Sequence, residues 1–585
     1  MRKKKIVVII TATIAILFNL YSLYLHAKIN FLSSGPKTLI ATCCWLLSII
    51  FWWLTIFLFP SSKKNSKRCF DTNEKFILFG ILTLGLILRV YKINHLGIYL
   101  DEKYWLEEAR NIISGFVKTP FGIIGDQPSN LPAFLVALLL LVFNNVYYAV
   151  RLPGVIYSLS TIFFVFSFLR EAFNKRVAFL SAFFLATSLW DIHMSHYGWN
   201  NVNLNPFLIS GTIFFLYRGI KYSSIKDIFW CSLFLGISLN LLYVASLSLE
   251  TTLIYFFYQI ILRRNRKIIS LLLLLLISSS LFFSPTIIKI IKYPDLTVRR
   301  HGEFINDNLV RSRAESPFSY YLEQIKFGFA DFLYQEERFS ITQLWGATLD
   351  PVVSFFLWAG LIFAIFNVFK PHYFLILINF FIMFVPIVVL YRFSSIWREY
   401  GFLPTVYILS AIGIENFSYV INNFIHHLFP RISKLNCQKI IITLTISVYF
   451  FLLGQLYFHY YNFHLRRNVD IYESYCKKIT EYLLNNLPLY SKVILPKELC
   501  KDLIIVVLEG KYDFSIYDSF TDISSAFQGN NFSLVYIDHH DSYLLPKISE
   551  NDIELLLGRE GKPYEKRIIK GDSGKIYAYI YISRD

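Results

Sequence analysis

Apolar positions along the chain fall into long blocks separated by short polar breaks. The blocks cover residues 6–25, 38–59, 75–91, 149–169, 177–190, 203–217, 227–244, 248–262, 268–284, 350–369, 373–391, 402–420 and 440–460. A helix rises about 1.5 Å per residue and needs about 20 residues to cross a hydrocarbon core of about 30 Å, so the pattern predicts 13 spans. The shorter ones, 177–190 and 248–262, need help from flanking residues or a thin bilayer. Residues 131–143 are apolar but reach only about 20 Å, which predicts a helix lying on the membrane surface. After residue 461 the pattern changes. Ile471 to Leu484 reads as an amphipathic helix, and Lys492 to Pro496, Leu503 to Leu508, Ser533 to Asp538 and Ile576 to Ile582 read as strands. The expected organisation is two additional N-terminal helices in 1–74, a membrane core in 75–460 with large loops at 92–148 and 285–349, and a small α/β domain in 461–585.

Composition sharpens this picture. The 585 residues are 55% hydrophobic and only 17% charged, against about 25% in soluble chains, and mean hydropathy is +0.48. A soluble enzyme, a disordered chain and a disulfide scaffold are excluded. The net charge of +17 sits in short clusters between apolar blocks, the positive-inside arrangement rather than a groove for nucleic acid. With 131–143 on the surface, the inner segments carry 22 Lys and Arg and the short outer ones 4. Making 131–143 a span would invert everything after it and destroy that asymmetry. The N-terminus is therefore expected in the cytoplasm, as an uncleaved first helix, with the C-terminal domain outside. Seven cysteines without C-x-x-C spacing indicate neither zinc nor a redox motif.

Ionisable groups beside a bilayer are costly, which directs attention to carboxylates near span ends. Soon after the third span comes Tyr99-Leu100-Asp101-Glu102-Lys103-Tyr104-Trp105. An acid pair at the outer interface, framed by Tyr104 and Trp105, can hold an acceptor hydroxyl and take its proton. The plainer alternative is a helix N-terminus whose free amides the carboxylates satisfy. In the turn after 177–190, Asp191, His193 and His196 form a secondary candidate set for a divalent metal, since positions three apart share a helix face. Hydrogen-bonded interfacial histidines are the alternative there. Asp126 reads as a turn residue, and Asp538-His539-His540-Asp541 as a polar strand end whose neighbours point to opposite faces.

Four stretches in order carry a family resemblance. They are Asp101 to Gly115; Arg151-Leu152-Pro153-Gly154, opening a span that ends at the basic turn Arg170 to Arg176; Ala186-Thr187-Ser188-Leu189-Trp190 with the turn His193 to Asn200; and Trp397-Arg398-Glu399-Tyr400-Gly401-Phe402-Leu403-Pro404. Over about residues 75 to 460 the chain resembles the polyprenyl-phosphate-dependent glycosyltransferases of the GT-C fold, the protein O-mannosyltransferase and aminoarabinose transferase superfamily. The resemblance implies a polytopic α-helical protein of the cell membrane, with about 13 transmembrane helices and an extracytoplasmic α/β domain. It implies a polyprenyl-phosphate sugar as donor and a protein, lipid or surface-glycan hydroxyl as acceptor. Asp101 is then the expected general base, with Glu102 assisting or orienting it. Charge on the departing phosphate calls for cations, Arg398 first and Arg392 second, with Tyr400, Tyr104, Trp105, His193, His196 and Asn200 as further substrate contacts. Relatives often carry arginine where this chain has His196, so a fixed phosphate contact is expected to be lost there. Arg151 is expected to tie the surface helix to the first loop, and Arg299, Arg300, Arg311 and Arg313 to anchor lipid headgroups.

Two other classes fit a basic polytopic chain: a lipid-linked sugar flippase or transporter, and a non-catalytic glycan-assembly subunit. A transporter places ionisable groups near the midplane, often in broken helices and repeats. Here the groups of interest cluster in outer loops, which favours interfacial chemistry. Asp101 separates the enzyme from the subunit, because a binding module tolerates its neutralisation.

Overall fold

The computed structural model describes residues 2–29, 35–59, 70–95, 98, 100–122, 129–143, 145–241, 244–294, 316–333, 349–389, 399–428, 434–461, 474–487, 491–496, 505, 507, 513–517, 532–537, 550–559, 564–570 and 576–583. Its helices are α1 (Arg2–Lys28), α2 (Pro36–Leu58), α3 (Thr72–Val90), α4 (Leu100–Ile113), α5 (Leu131–Val142), α6 (Val146–Ala172), α7 (Lys175–Ala186), α8 (Leu189–Ser195), α9 (Asn200–Lys221), α10 (Ile225–Leu241), α11 (Ser248–Arg263) and α12 (Arg266–Lys292). There follow α13 (Pro317–Leu333), α14 (Pro351–Phe366), α15 (Pro371–Val389), α16 (Leu403–Leu428) and α17 (Lys434–His459), then α18 (Ser474–Asn486) and α19 (Glu550–Arg559) in the tail.

All 13 expected spans fall on helices, and 131–143 falls on the 12-residue α5. By length and composition, six described helices are able to cross a membrane, and α7 with α8, bent by 49°, counts as a seventh. The others are shorter or more polar; α9, for instance, opens with Asn200, Asn201, Asn203 and Asn205. On α5, Ala133, Val136 and Ala137 are buried while Leu138, Leu141 and Val142 are exposed, so one face packs on its neighbours and the other does not.

Ion pairs collect the basic turns at one end of the bundle. Asp71 caps α3 in a reciprocal box with Glu74, Glu74 pairs with Arg170 at 2.6 Å, and Asp71 pairs with Lys175 at 2.5 Å. At the other end of α3 lie the first loop, the α8–α9 turn and the tail.

The first two helices dock on α12 through a defect in it. Pro285 has no N–H to offer the carbonyl of Leu281, one turn earlier. That carbonyl accepts instead from Ser284 Oγ of the same helix at 3.0 Å and from Asn19 Nδ2 and Trp45 Nε1 of the hairpin, both at 3.2 Å, while Trp52 Nε1 donates to Ser278 at 2.8 Å. Where no water is at hand, such freed backbone groups need a side-chain partner, and this need fixes where the hairpin sits. Elsewhere the helices meet through small residues. An added Cβ on Gly360 of α14 would lie 1.9 Å from the Leu409 carbonyl of α16, and one on Gly413 would lie 2.1 Å from that of Phe356.

The tail holds a five-stranded sheet in the order β2-β1-β3-β5-β4, from β1 (Lys492–Pro496), β2 (Asp513–Tyr517), β3 (Phe532–Ile537), β4 (Tyr564–Lys570) and β5 (Ile576–Ser583). The strand expected at 503–508 is corrected: Ile505 and Val507, its described residues, are helical. Because β1 and β2 run parallel, the chain between them must cross over, and an unbroken apolar run serves a crossover helix as well as a strand. Alternation gives the sheet two apolar faces. Ile494, Leu534, Tyr579 and Tyr581 pack with Ile553 and Leu557 of α19. Val493, Leu495, Val535 and Ile580 pack with Ile479 and Leu483 of α18, in one cluster with Trp105, Leu106 and Ala109 of α4 and Val136 of α5.

The glycine crossing is testable. Gly413→Val should cost about 1–3 kcal/mol or more by forcing α14 and α16 apart, whereas Gly80→Ala, with open space around it, should be neutral. Thermal unfolding of the detergent-purified variants measures both, and equal transitions would refute the contact.

Candidate active site

The end of the bundle opposite the basic turns is organised by two buried ion pairs. The first repairs a broken helix. Between α7 and α8 the chain turns sharply, which takes the Leu185 and Ala186 carbonyls out of the regular helical pattern, although the Ser188 amide still reaches Leu185 at 3.2 Å. Arg89, fully buried on α3, donates to both, at 2.8 and 2.7 Å, and to Ser158 Oγ at 2.6 Å. Its Nη2 also meets the Asp191 carboxylate at 2.7 Å in the first turn of α8. One guanidinium thus neutralises the C-terminal end of α7 and pairs with the acid at the N-terminal end of α8. Ser158 and the Tyr400 hydroxyl donate the remaining hydrogen bonds to Asp191.

The second pair fixes the first loop. Glu102, on α4, receives Arg151 Nε at 2.7 Å and Nη2 at 2.9 Å, a two-point contact with both side chains fully buried. The Gly198 amide donates to the same carboxylate at 2.7 Å, and Arg151 Nη1 reaches the Ile93 carbonyl at 2.7 Å. Only glycine fits at 198: an added Cβ would meet the Val150 carbonyl at 2.7 Å and Glu102 Oε1 at 2.9 Å. Further along α4, Glu108 accepts from Asn130 at 2.7 Å, and Asn130 in turn accepts from the Gly122 amide at 3.0 Å. α4 is therefore pinned at both ends.

This geometry redistributes the sequence candidates. Glu102, Trp105, Leu106 and Ala109 follow helical spacing and form the buried face of α4. Trp105 is thus a core residue rather than a substrate contact, and the Glu102 carboxylate is held by Arg151 and the Gly198 amide. Asp101 and Tyr104 stay half-buried on the adjoining face. Tyr400 is also corrected: it is buried, and its hydroxyl is committed to Asp191. Asn200 is interior, donating to the Val150 and Gly198 carbonyls at 3.0 and 2.9 Å.

The metal set does not assemble. Asp191 faces Arg89, while His193 and His196 each meet the Tyr460 hydroxyl, at 3.1 and 3.0 Å. Among the described residues no three of His, Cys, Asp or Glu come together as a metal site. Burial, and then the Arg151 guanidinium, push His196 down to about 3, so it is neutral and offers a phosphate no charge. Arg392, Arg398, Asp126, Arg299, Arg300, Arg311, Arg313 and the 538–541 stretch lie outside the described residues.

Comparison with known proteins follows this geometry. Residues 126–288 match the family model described as dolichyl-phosphate-mannose-protein mannosyltransferase. Among solved structures the chain is similar to ArnT from Cupriavidus metallidurans bound to undecaprenyl phosphate. That match has a TM-score of 0.51 at 11% identity and covers 87% of this chain and 98% of that one. The chain has the GT-C glycosyltransferase fold. It also aligns with the archaeal oligosaccharyltransferase AglB from Archaeoglobus fulgidus, in complex with an inhibitory peptide and a dolichol-phosphate, at TM-score 0.48 and 11% identity, over 86% of this chain and 74% of that one. No curated protein matches by sequence.

Within this GT-C core, sequence reasoning overlooked Arg89, Ser158, Tyr460 and the Glu108–Asn130 pair. Arg89 carried a usable signal, since a cation inside an apolar block demands a buried partner. Tyr460 did not, because a tyrosine at a span end reads as an ordinary interfacial anchor.

Arg89→Met should destabilise the protein by about 3–5 kcal/mol, because it strands Asp191 as an unpaired buried charge. Adding Asp191→Asn should recover part of that loss. Chemical unfolding in detergent measures the pair, and a double variant no more stable than Arg89→Met would refute the coupling.

Proposed function

We propose that this chain, of the glycosyltransferase class by its family match and fold, moves a sugar from a polyprenyl-phosphate donor to an acceptor hydroxyl at the extracytoplasmic face of the cell membrane. Asp101 is the general base. The observation that carries the reading is the division of labour within the acid pair. Glu102 is fully buried and held by Arg151 and the Gly198 amide, while Asp101 lies half-buried beside it in the first turn of a helix held at Glu102 and Glu108.

In the proposed step, Asp101 takes the proton of the acceptor hydroxyl as that oxygen attacks the anomeric carbon. The bond from that carbon to the phosphate oxygen breaks, and the lipid phosphate leaves with its electron pair. Arg398 first, and Arg392 second, receive the growing negative charge. Support for the polyprenyl phosphate comes from the undecaprenyl phosphate held by the similar ArnT structure. The acceptor is a protein, lipid or surface-glycan hydroxyl. The extracytoplasmic face follows from the distribution of Lys and Arg between loops. The step uses a carboxylate and arginines throughout, so a chelator should leave the rate unchanged.

The test is transfer from a panel of polyprenyl-phosphate sugars by wild type and Asp101→Asn. One donor should be active, and the variant should lose about 10²–10⁴-fold in kcat while keeping its fold and insertion. Full activity in the variant would overturn the assignment of Asp101.

A further inference from the structure

The turn that leads into α4 is gripped from two sides. Lys92 adopts the left-handed conformation, φ 57°, and the three carbonyls after it all accept from cations. Arg151, of the membrane core, takes the Ile93 carbonyl at 2.7 Å. Lys477, of the tail, takes the carbonyl of Asn94 and, at 3.1 Å, that of His95. Both cations also flank one aromatic ring, that of Tyr147 in the first turn of α6. The Arg151 guanidinium carbon lies 5.6 Å from its centroid and Lys477 Nζ 5.3 Å.

Lys477 is well placed to hold this position. Its side chain is 14% exposed, and Glu481, one turn along α18, lies 3.6 Å away. Its helix is anchored to the sheet of the tail by Ile479 and Leu483, in the cluster that includes Trp105 and Leu106 of α4. A continuous chain of contacts therefore runs from the tail through Lys477, the Tyr147 ring, Arg151 and Glu102 to the neighbour of Asp101.

We propose that Lys477 is a positioning residue for Asp101: by clamping the Asn94 and His95 carbonyls it couples the tail domain to the orientation of α4. The inference rests on the reading of Asp101 as the base. The tail then does more than cover the outer face, since it holds two carbonyls of a turn whose third is held by Arg151 of the core. Removing the ammonium leaves Arg151 to hold Ile93 alone. The Glu102–Arg151 pair persists, so α4 stays docked, but its first turn gains freedom. A small displacement of a catalytic group costs about 10- to 100-fold in rate without changing how tightly substrate binds.

The experiment compares wild type, Lys477→Met and Lys477→Arg as full-length proteins in lipid nanodiscs, by two independent readouts. The first is amide hydrogen exchange. Lys477→Met should lose protection over residues 93–104 and keep it in β1, β3 and β5, which also shows that the tail is folded; Lys477→Arg should restore it. The second is transfer from the active polyprenyl-phosphate sugar. Here kcat should fall about 10- to 100-fold in Lys477→Met with the donor KM within about twofold, and recover in Lys477→Arg. Unchanged exchange over 93–104, or an unchanged kcat in Lys477→Met against an active wild type, overturns the proposal. A loss of protection that arginine restores, in a wild type inactive with every donor, upholds the clamp and overturns the glycosyltransferase reading instead.

Discussion

A charge taken out of water must find an opposite charge, and it must also find partners for its remaining hydrogen-bonding atoms. The end of this bundle opposite the basic turns is built around that requirement. Arg89 and Asp191, and Arg151 and Glu102, are wholly buried, and each pair also binds backbone groups at a break or a turn. Arg89 serves the two carbonyls released where α7 breaks, and Glu102 serves the Gly198 amide. Each pair joins elements far apart in sequence, so the break, the turn and the first loop become one rigid unit. Such pairs add little net stability over a well-packed apolar core, yet breaking one is severe. What they provide here is a fixed register for α4 against α6 and the α8–α9 turn.

That rigidity bears directly on chemistry at the interface. A base acts only if its oxygen stays within hydrogen-bond reach of the hydroxyl it deprotonates. Asp101 has a neighbour that cannot move, because Glu102 is held by three donors at 2.7 to 2.9 Å. The far end of α4 is held through Glu108 and Asn130, and the turn before it through Arg151 and Lys477. The two peripheral additions use the same backbone logic. The N-terminal hairpin seats on the carbonyl that Pro285 leaves free in α12, and the tail seats on the carbonyls ahead of α4.

Within the acid pair the sequence put Asp101 ahead of Glu102 through the family resemblance alone, with no physical ground for the order. Asp101 and Glu102 look equivalent until helical phase puts one on the buried face with Trp105, Leu106 and Ala109 and the other beside it. The aromatic and polar candidates of the two turns fared similarly. Tyr400, His193, His196 and Asn200 lie at the expected end of the bundle, but they are spent on holding it together. A polar group close to membrane depth has either a structural partner or a substrate, and sequence cannot distinguish these when the partner is 200 residues away.

The helices under the apolar blocks, the short helix at 131–143, the change of character after residue 461 and the resemblance to GT-C glycosyltransferases were all legible in the sequence. Each rests on local properties: the length of an apolar block, the charge of a loop, the order of short motifs. The partners of Arg89, Arg151 and Lys477 were decided by tertiary structure alone. So were the helical state of Ile505 and Val507 and the use of Asp191 by an arginine rather than a metal. The physical reason is the same in every case: hydrophobicity acts on a residue where it stands, whereas a buried charge or a freed carbonyl is satisfied by whichever group the fold brings within about 3 Å.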